Sequence, residues 1–309
     1  MLLKILLVVL VVIVIIVIMG LLKITSMFYN QTVLRKICTK EDLIKEQIER
    51  GLIDEKAYEK LEKENFEVET FDKLKLKGVI IDNKSDKTII LVHGITVSLE
   101  WSIKYINMFL KRKWNVVIYD QRRHGDSEGT YSTYGFYEKQ DVDVLVNYCI
   151  KRWGQNSIIG LHGESMGAAT VLQYASINKY VKFIIADCSF SNLIKEFKYN
   201  VKTDFKLNGG FLIALTSMRA KRLAKFNFKD VSPLDVIKDN DIPVMFAHGD
   251  EDKLVPVEMS IEMYEAKKKN KKLYIAKGAG HARAIEVDRE EYEKQVMEFV
   301  DDVLAGKYK

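Results

Sequence analysis

Gly163-Glu164-Ser165-Met166-Gly167 lies between a short apolar run, Ser157-Ile158-Ile159-Gly160-Leu161, and a small-residue helical stretch, Ala168-Ala169-Thr170-Val171-Leu172. A chain that passes from strand to helix through G-x-S-x-G turns sharply at the serine, and the hydroxyl then projects above the sheet. Glycines two positions to either side leave room for that turn, because larger side chains there would crowd the adjoining strand and helix. Five residues of this kind also occur by chance. Their placement, and the acidic and histidine residues downstream of them, carry the weight.

Asp252 and then His281 come later in the chain, so the order is serine, acid, histidine. The interval before Asp252 holds a strand and an inserted segment, and the interval before His281 holds one helix and one strand. A serine hydroxyl is a weak nucleophile at neutral pH and needs an adjacent base. A histidine oriented by a carboxylate is such a base. Asp250 and Glu251 adjoin Asp252 and compete with it for the orienting role.

The rest of the chain alternates strand and helix. Phe66 to Asp82 reads as an opening hairpin. Thr88 to Val92, Val116 to Tyr119, Ile158 to Leu161, Phe183 to Ala186, Val244 to Ala247 and Leu273 to Ala276 are short apolar runs. Between them, Ile103, Ile106, Phe109 and Leu110, and then Val142, Leu145, Val146 and Cys149, mark apolar helix faces. This pattern predicts an α/β fold, with a mainly parallel sheet covered by helices on both faces. Ligands then bind at the carboxyl ends of the strands. All five histidines, His93, His124, His162, His248 and His281, are assigned to strand ends. Their spacing is not that of a metal site, so neither metal nor cofactor is expected. Cys38, Cys149 and Cys188 form no disulfide framework, and the last two read as core residues.

Ile5 to Leu22 is apolar throughout apart from Gly20, with Lys4 and Lys23 on its flanks. As a helix it spans roughly 27 Å, close to the hydrocarbon thickness of a bilayer. It is longer than the apolar core of a signal peptide, and no small-residue cleavage site follows. Residues 1–23 therefore read as an uncleaved transmembrane anchor. The lysine and arginine distribution leaves both orientations open, because the positive-inside rule favours a cytoplasmic domain and a short lysine-bearing tail favours the opposite. Residues 24–65 read as a charged, helical, solvated linker, in which Thr39 caps a helix that Gly51 ends. Residues 66–309 form the main domain. The mild net charge of +5 gives no reason to expect nucleic acid.

Taken together, the chain resembles the α/β-hydrolases from about Phe66 onward, and more closely the membrane-anchored bacterial serine hydrolases of the serine aminopeptidase-like branch. The resemblance rests on Leu91-Val92-His93-Gly94, Tyr119 to Ser127, the G-x-S-x-G turn, His248-Gly249-Asp250-Glu251-Asp252 with Val255-Pro256, and Gly278-Ala279-Gly280-His281. Arg123 stands where that branch often has glycine. The resemblance implies Ser165 as nucleophile, His281 as general base and Asp252 as its orienting acid, with Asp250 stabilising a turn. It implies an oxyanion hole of the Met166 and Ile95 backbone N–H groups. Asp187 and the Asp120, Arg122, His124 loop read as structural, and His93 as loop support.

An insertion at about 191–240 reads as a small helical cap. Ile194, Phe197, Val201 and Phe205 make an apolar stripe, continued by Phe211 to Leu215, and nine lysines and arginines from Lys195 to Lys229 surround it. They form a solvated basic face or a contact for anionic lipid or acidic substrate. The expected activity is hydrolysis of an ester or amide through an acyl-enzyme, on a small-molecule or lipid-like acyl substrate. A serine peptidase is the enzymatic alternative, and a non-catalytic binding module on a hydrolase fold is the alternative of another class.

Overall fold

The computed structural model describes residues 1–178 and 180–308. Its strands are β1 (Glu64–Glu69), β2 (Lys75–Ile81), β3 (Lys87–Val92), β4 (Asn115–Tyr119), β5 (Ile158–Glu164), β6 (Val181–Asp187), β7 (Val244–Gly249) and β8 (Lys271–Ala276). They form one eight-stranded sheet in the order β1-β2-β4-β3-β5-β6-β7-β8. β1 pairs antiparallel with β2, and β2 with β4. Every pairing from β4 across to β8 is parallel. The predicted mainly parallel α/β architecture is the one observed.

Among the described residues the helices are α1 (Leu2–Thr32), α2 (Lys40–Glu49), α3 (Glu55–Glu59), α4 (Ile103–Leu110), α5 (Glu138–Trp153), α6 (Met166–Tyr174), α7 (Leu193–Phe205), α8 (Gly210–Leu223), α9 (Pro233–Ile237), α10 (Glu258–Ala266), α11 (Ala284–Val287) and α12 (Arg289–Leu304). Side chains alternate along a strand, so each apolar strand serves two cores. Ile159, Leu161, Ile184 and Val244 pack with α5, α6 and α10 on one face. Phe183, Ile185 and Met245 pack with α4 and α12 on the other. Full burial of each such side chain stabilises the fold by about 1.5–3 kcal/mol. The helix ends follow from local chemistry. Asp288 caps α12 by accepting from the Glu291 N–H at 2.9 Å, and Glu290 and Glu291 place negative charge at its positive end.

A third core lies above the strand ends. α7 and α8, inserted between β6 and β7, join Tyr29 and Val33 from the start of the chain and Met166 from α6. The expected cap stripe is only partly covered: Phe197 and Val201 are buried, Ile194 is half-buried and Phe205 is exposed. Phe211 is exposed as well, so the continuation through α8 is not one buried face.

The segment after residue 23 differs from a solvated linker. α1 continues unbroken to Thr32 and docks by its last turns, with Thr25, Tyr29 and Thr32 buried. Tyr134 donates to the Thr32 carbonyl at 3.2 Å, and the Phe28 ring meets Phe197 edge-on at 5.8 Å. Thr39 caps α2 as expected. That helix also docks, through buried Leu43 and through Gln47, which donates to the Glu100 carbonyl at 2.9 Å. The charges on one face looked like solvent contacts, yet the opposite face carries enough apolar surface to bind. Earlier in α1, Leu2 to Leu22 are exposed, and the apolar window has a mean hydropathy of 3.8. The helix is a candidate membrane span or signal sequence.

Candidate active site

β5 ends at Glu164 and α6 begins at Met166, so Ser165 alone makes the turn. Its backbone sits at φ 55° and ψ −117°, a conformation costly for a residue with a Cβ. Two close approaches impose it. A Cβ at Gly163 would lie 2.3 Å from the Gly167 carbonyl oxygen, and one at Gly167 would lie 2.0 Å from that of Val92. Only glycine permits α6 to pack so tightly behind the turn.

The loop after β7 brings Asp252 toward the loop after β8, which carries His281. His281 Nδ1 donates to Asp252 Oδ2 at 2.6 Å, and Ser165 Oγ donates to His281 Nε2 at 2.9 Å. The carboxylate can only accept, so the hydrogen is on Nδ1 and the lone pair faces the serine. Burial works against ionising Asp252. Hydrogen bonds from His248, His281 and the Val255 N–H outweigh it and hold the carboxyl well below the usual carboxylate range. Burial likewise works against a charged His281, but the Asp252 carboxylate, with Glu164 and Glu196 further off, pushes its pKa above the ordinary histidine value. Such an imidazole is a strengthened base beside a hydroxyl.

Met166 is the first residue of α6, so its N–H has no partner within the helix. Ile95 lines the same cavity as Ser165 and Met166. A Cβ at the preceding Gly94 would lie 3.3 Å from the Ser165 Cβ, which places this loop against the serine. The cavity holds about 500 Å³. Its other walls are Glu196, Phe197, Val201 and Phe205 of α7, Phe28 and Thr32 at the end of α1, and Arg35 just after it.

The competing residues are placed elsewhere. Asp250 accepts from the Gly278 N–H at 2.6 Å and ties the two loops together. Asp187 accepts from the Tyr292 hydroxyl at 2.9 Å beneath the turn. Asp120 accepts from the Leu99 and Asp126 N–H groups, and Arg122 bridges Asp141 and Asp72. His93 accepts from the Gln121 N–H through Nε2 and braces that loop. Arg123 adopts φ 71°, the left-handed region a glycine would enter freely. His162 departs from its assignment to a strand end: β5 extends past it, and its Nε2 meets the Tyr292 hydroxyl within the core. Sγ of Cys188 and the ligand-type atoms of Asp252 and His281 lie within 4.8 Å of one another. Burial pushes the Cys188 thiol well above its ordinary pKa.

Three contributors were not singled out from the sequence. His248 donates through Nε2 to Asp252 Oδ2 at 3.1 Å and to the Val255 carbonyl at 2.8 Å, and so braces the carboxylate from behind. Glu164, the variable residue before the serine, is buried with Lys104 at 2.6 Å and accepts from Trp101 Nε1 at 2.7 Å. Glu196 is buried in the cavity wall, and one carboxyl oxygen has no hydrogen-bond partner. Burial pushes its pKa up to about 8. The motif spacing could have drawn attention to His248, which opens H-G-x-x-D. Nothing local marks Glu196, which reads as one more charge on a basic helix.

Comparison with known proteins agrees with this architecture. The family described as "alpha/beta hydrolase fold" matches residues 87–232. The uncharacterized protein YqkD of Bacillus subtilis is 35% identical over 280 residues, 90% of this chain and 92% of its own. The Pyrococcus furiosus esterase Pf2001 superposes with a TM-score of 0.66 at 32% identity, over 81% of this chain and 95% of that one. The Pyrococcus horikoshii acylaminoacyl peptidase shares the fold alone, with a TM-score of 0.58 at 20% identity over 80% of this chain and 43% of its own. By sequence over nearly its whole length, and by fold, the chain belongs to the α/β-hydrolase superfamily.

Proposed function

We propose that the chain is a membrane-anchored serine hydrolase that cleaves a carboxylic ester through an acyl-enzyme. The observation that carries this reading is the continuous hydrogen-bonded line Ser165–His281–Asp252, at 2.9 and 2.6 Å. Ser165 Oγ attacks the ester carbon as its proton passes to His281 Nε2, and the charged imidazole is stabilised by Asp252. The Met166 and Ile95 N–H groups receive the developing oxyanion, the former aided by the positive end of α6. Collapse breaks the bond to the alcohol oxygen, which leaves with the proton from His281. Water then attacks the acyl-serine by the reverse sequence, releasing the carboxylic acid and restoring Ser165. α1 supplies the anchor, with residues 1–23 as its membrane portion, 24–65 joining it to the domain 66–309, and the cap at about 191–240.

A peptidase reading has one observation in its favour. The Glu196 carboxyl could receive a peptide ammonium group in the cavity. Arg35 on the same cavity opposes a cation, and the esterase among the similar structures favours the ester. The test treats the full chain in detergent with a fluorophosphonate probe and assays p-nitrophenyl butyrate beside amino-acid p-nitroanilides. Wild type is expected to label and to cleave the ester. Ser165→Ala should lose labelling and turnover, on the order of 10⁶-fold. A well-folded wild type that never labels would count against the nucleophile and move the binding-module reading forward. Preference for the anilides would establish the peptidase.

A further inference from the structure

α1 and α8 form a second groove, of about 450 Å³, lined by Ile18, Leu21, Leu22 and Thr25 on one side and by Phe211, Leu215, Met218 and Arg222 on the other. Ile18, Leu21 and Leu22 belong to the apolar run itself. A helix packed against them lies at the depth of the last turn of that run. Yet α8 presents outward Phe211, 64% exposed, and Met218, 58% exposed, and the connection before it presents Leu207, 64% exposed. Water is the wrong solvent for such a surface, and a hydrocarbon edge is the right one. Lys221 and Arg222 at the end of the same helix are placed to reach anionic head groups.

The catalytic cavity sits about one head-group layer above that depth. Leu22 ends the apolar run, and Phe28, six residues on, lines the cavity. Six residues of helix cover about 9 Å, close to the thickness of one head-group layer, roughly 5–8 Å. Phe205 continues the apolar surface from the exposed side of the cap into that cavity, where it is a lining residue. Arg35 and Lys36 line the same space. No free chain separates the anchor from the cavity, because Tyr29 and Val33 are buried in the cap core.

We infer that α8 is seated in one leaflet of the bilayer and that the substrate is an acyl ester of a bilayer-resident amphiphile with an anionic head group, taken directly from that leaflet. Its acyl chain passes Phe205 toward Ser165, and its head group meets Arg35 and Lys36. This inference rests on the hydrolase reading and on α1 crossing the membrane.

The experiment uses the full chain in vesicles of phosphatidylcholine and phosphatidylglycerol, with a long-chain fluorogenic ester in the bilayer and water-soluble p-nitrophenyl acetate outside it. Phe211→Glu/Met218→Glu is expected to lower turnover of the bilayer ester at least about tenfold and to leave that of p-nitrophenyl acetate within about twofold. Unchanged turnover of the bilayer ester by the double variant overturns the inference. A parallel loss on both substrates is resolved by Phe211→Trp, whose added fluorescence should be quenched by brominated acyl chains. Absence of quenching overturns the inference. If wild type cleaves p-nitrophenyl acetate but not the bilayer ester, the inference falls and the hydrolase reading stands. If it cleaves neither and no probe labels Ser165, the hydrolase reading falls and the inference with it.

Discussion

Asp252 has more partners than the orienting role proposed for it needs. Oδ1 accepts from the Leu254 and Val255 N–H groups at 2.9 Å each, and Oδ2 accepts from His281 and His248. Four donors fix both the position and the ionised state of the carboxylate. Asp252→Asn keeps the shape but removes the charge, and it allows the tautomer that turns the His281 lone pair away from Ser165. A loss of about 10³–10⁴-fold in kcat is expected, with KM little changed. The pH profile separates this effect from simple misplacement. Only neutral His281 is a base, and its pKa lies above the ordinary 6.5 because of Asp252. Activity should therefore fall with acidification through a midpoint above that value in wild type. In Asp252→Asn the midpoint should move to lower pH, since burial remains and the stabilising charge is gone. A midpoint that stays in place would mean that Asp252 does not set the basicity of His281.

At the scale of elements, the sheet and the two strand-end loops were legible because their signals are local. Apolar runs of strand length alternate with helical periods, and the motifs fall where those runs stop. The docking of α1 and α2 was not legible, because nothing near Tyr29, Val33 or Leu43 in the sequence shows what they pack against. Their partners, such as Phe197 and Tyr134, come from far along the chain. The same applies to the ion pair of Lys104 with Glu164: a lysine on an apolar helix face reads as a solvated charge until its partner is placed opposite. If the end of α1 is part of the cap core, removing its buried ring must cost stability. Tyr29 is 1% exposed and lies beneath the Arg219 guanidinium, 5.3 Å from the ring centroid. Tyr29→Ala should destabilise the domain by about 3–5 kcal/mol in denaturant unfolding of the detergent-solubilised chain. A change below about 1 kcal/mol would show that α1 rests on the cap without being part of its core.

For the whole molecule, the decisive geometry is the absence of slack between the long apolar helix and the cavity beside Ser165. A tethered enzyme on a flexible linker samples a volume that grows with linker length, and it can meet substrate in solution or on a facing membrane. Here α1 runs without interruption from the apolar stretch to Thr32, and the Val33 carbonyl then accepts from the Ser132 N–H at 3.1 Å. A short way further on, the Cys38 N–H donates to the Thr96 carbonyl at 2.8 Å, beside the loop that carries Ile95. The chain is thus pinned on both sides of the cavity, and with α1 embedded as proposed above the cavity is held at one leaflet. Such an enzyme should act on its own membrane and not on another. Full-length protein in one vesicle population, mixed with enzyme-free vesicles, gives a direct reading when the fluorogenic ester is placed in only one of the two. Turnover should be at least about tenfold faster when ester and enzyme share a vesicle, since only that arrangement delivers the acyl chain at cavity depth. Equal rates in the two arrangements would mean that α1 leaves the cap in the membrane and that the docked form is not the working one.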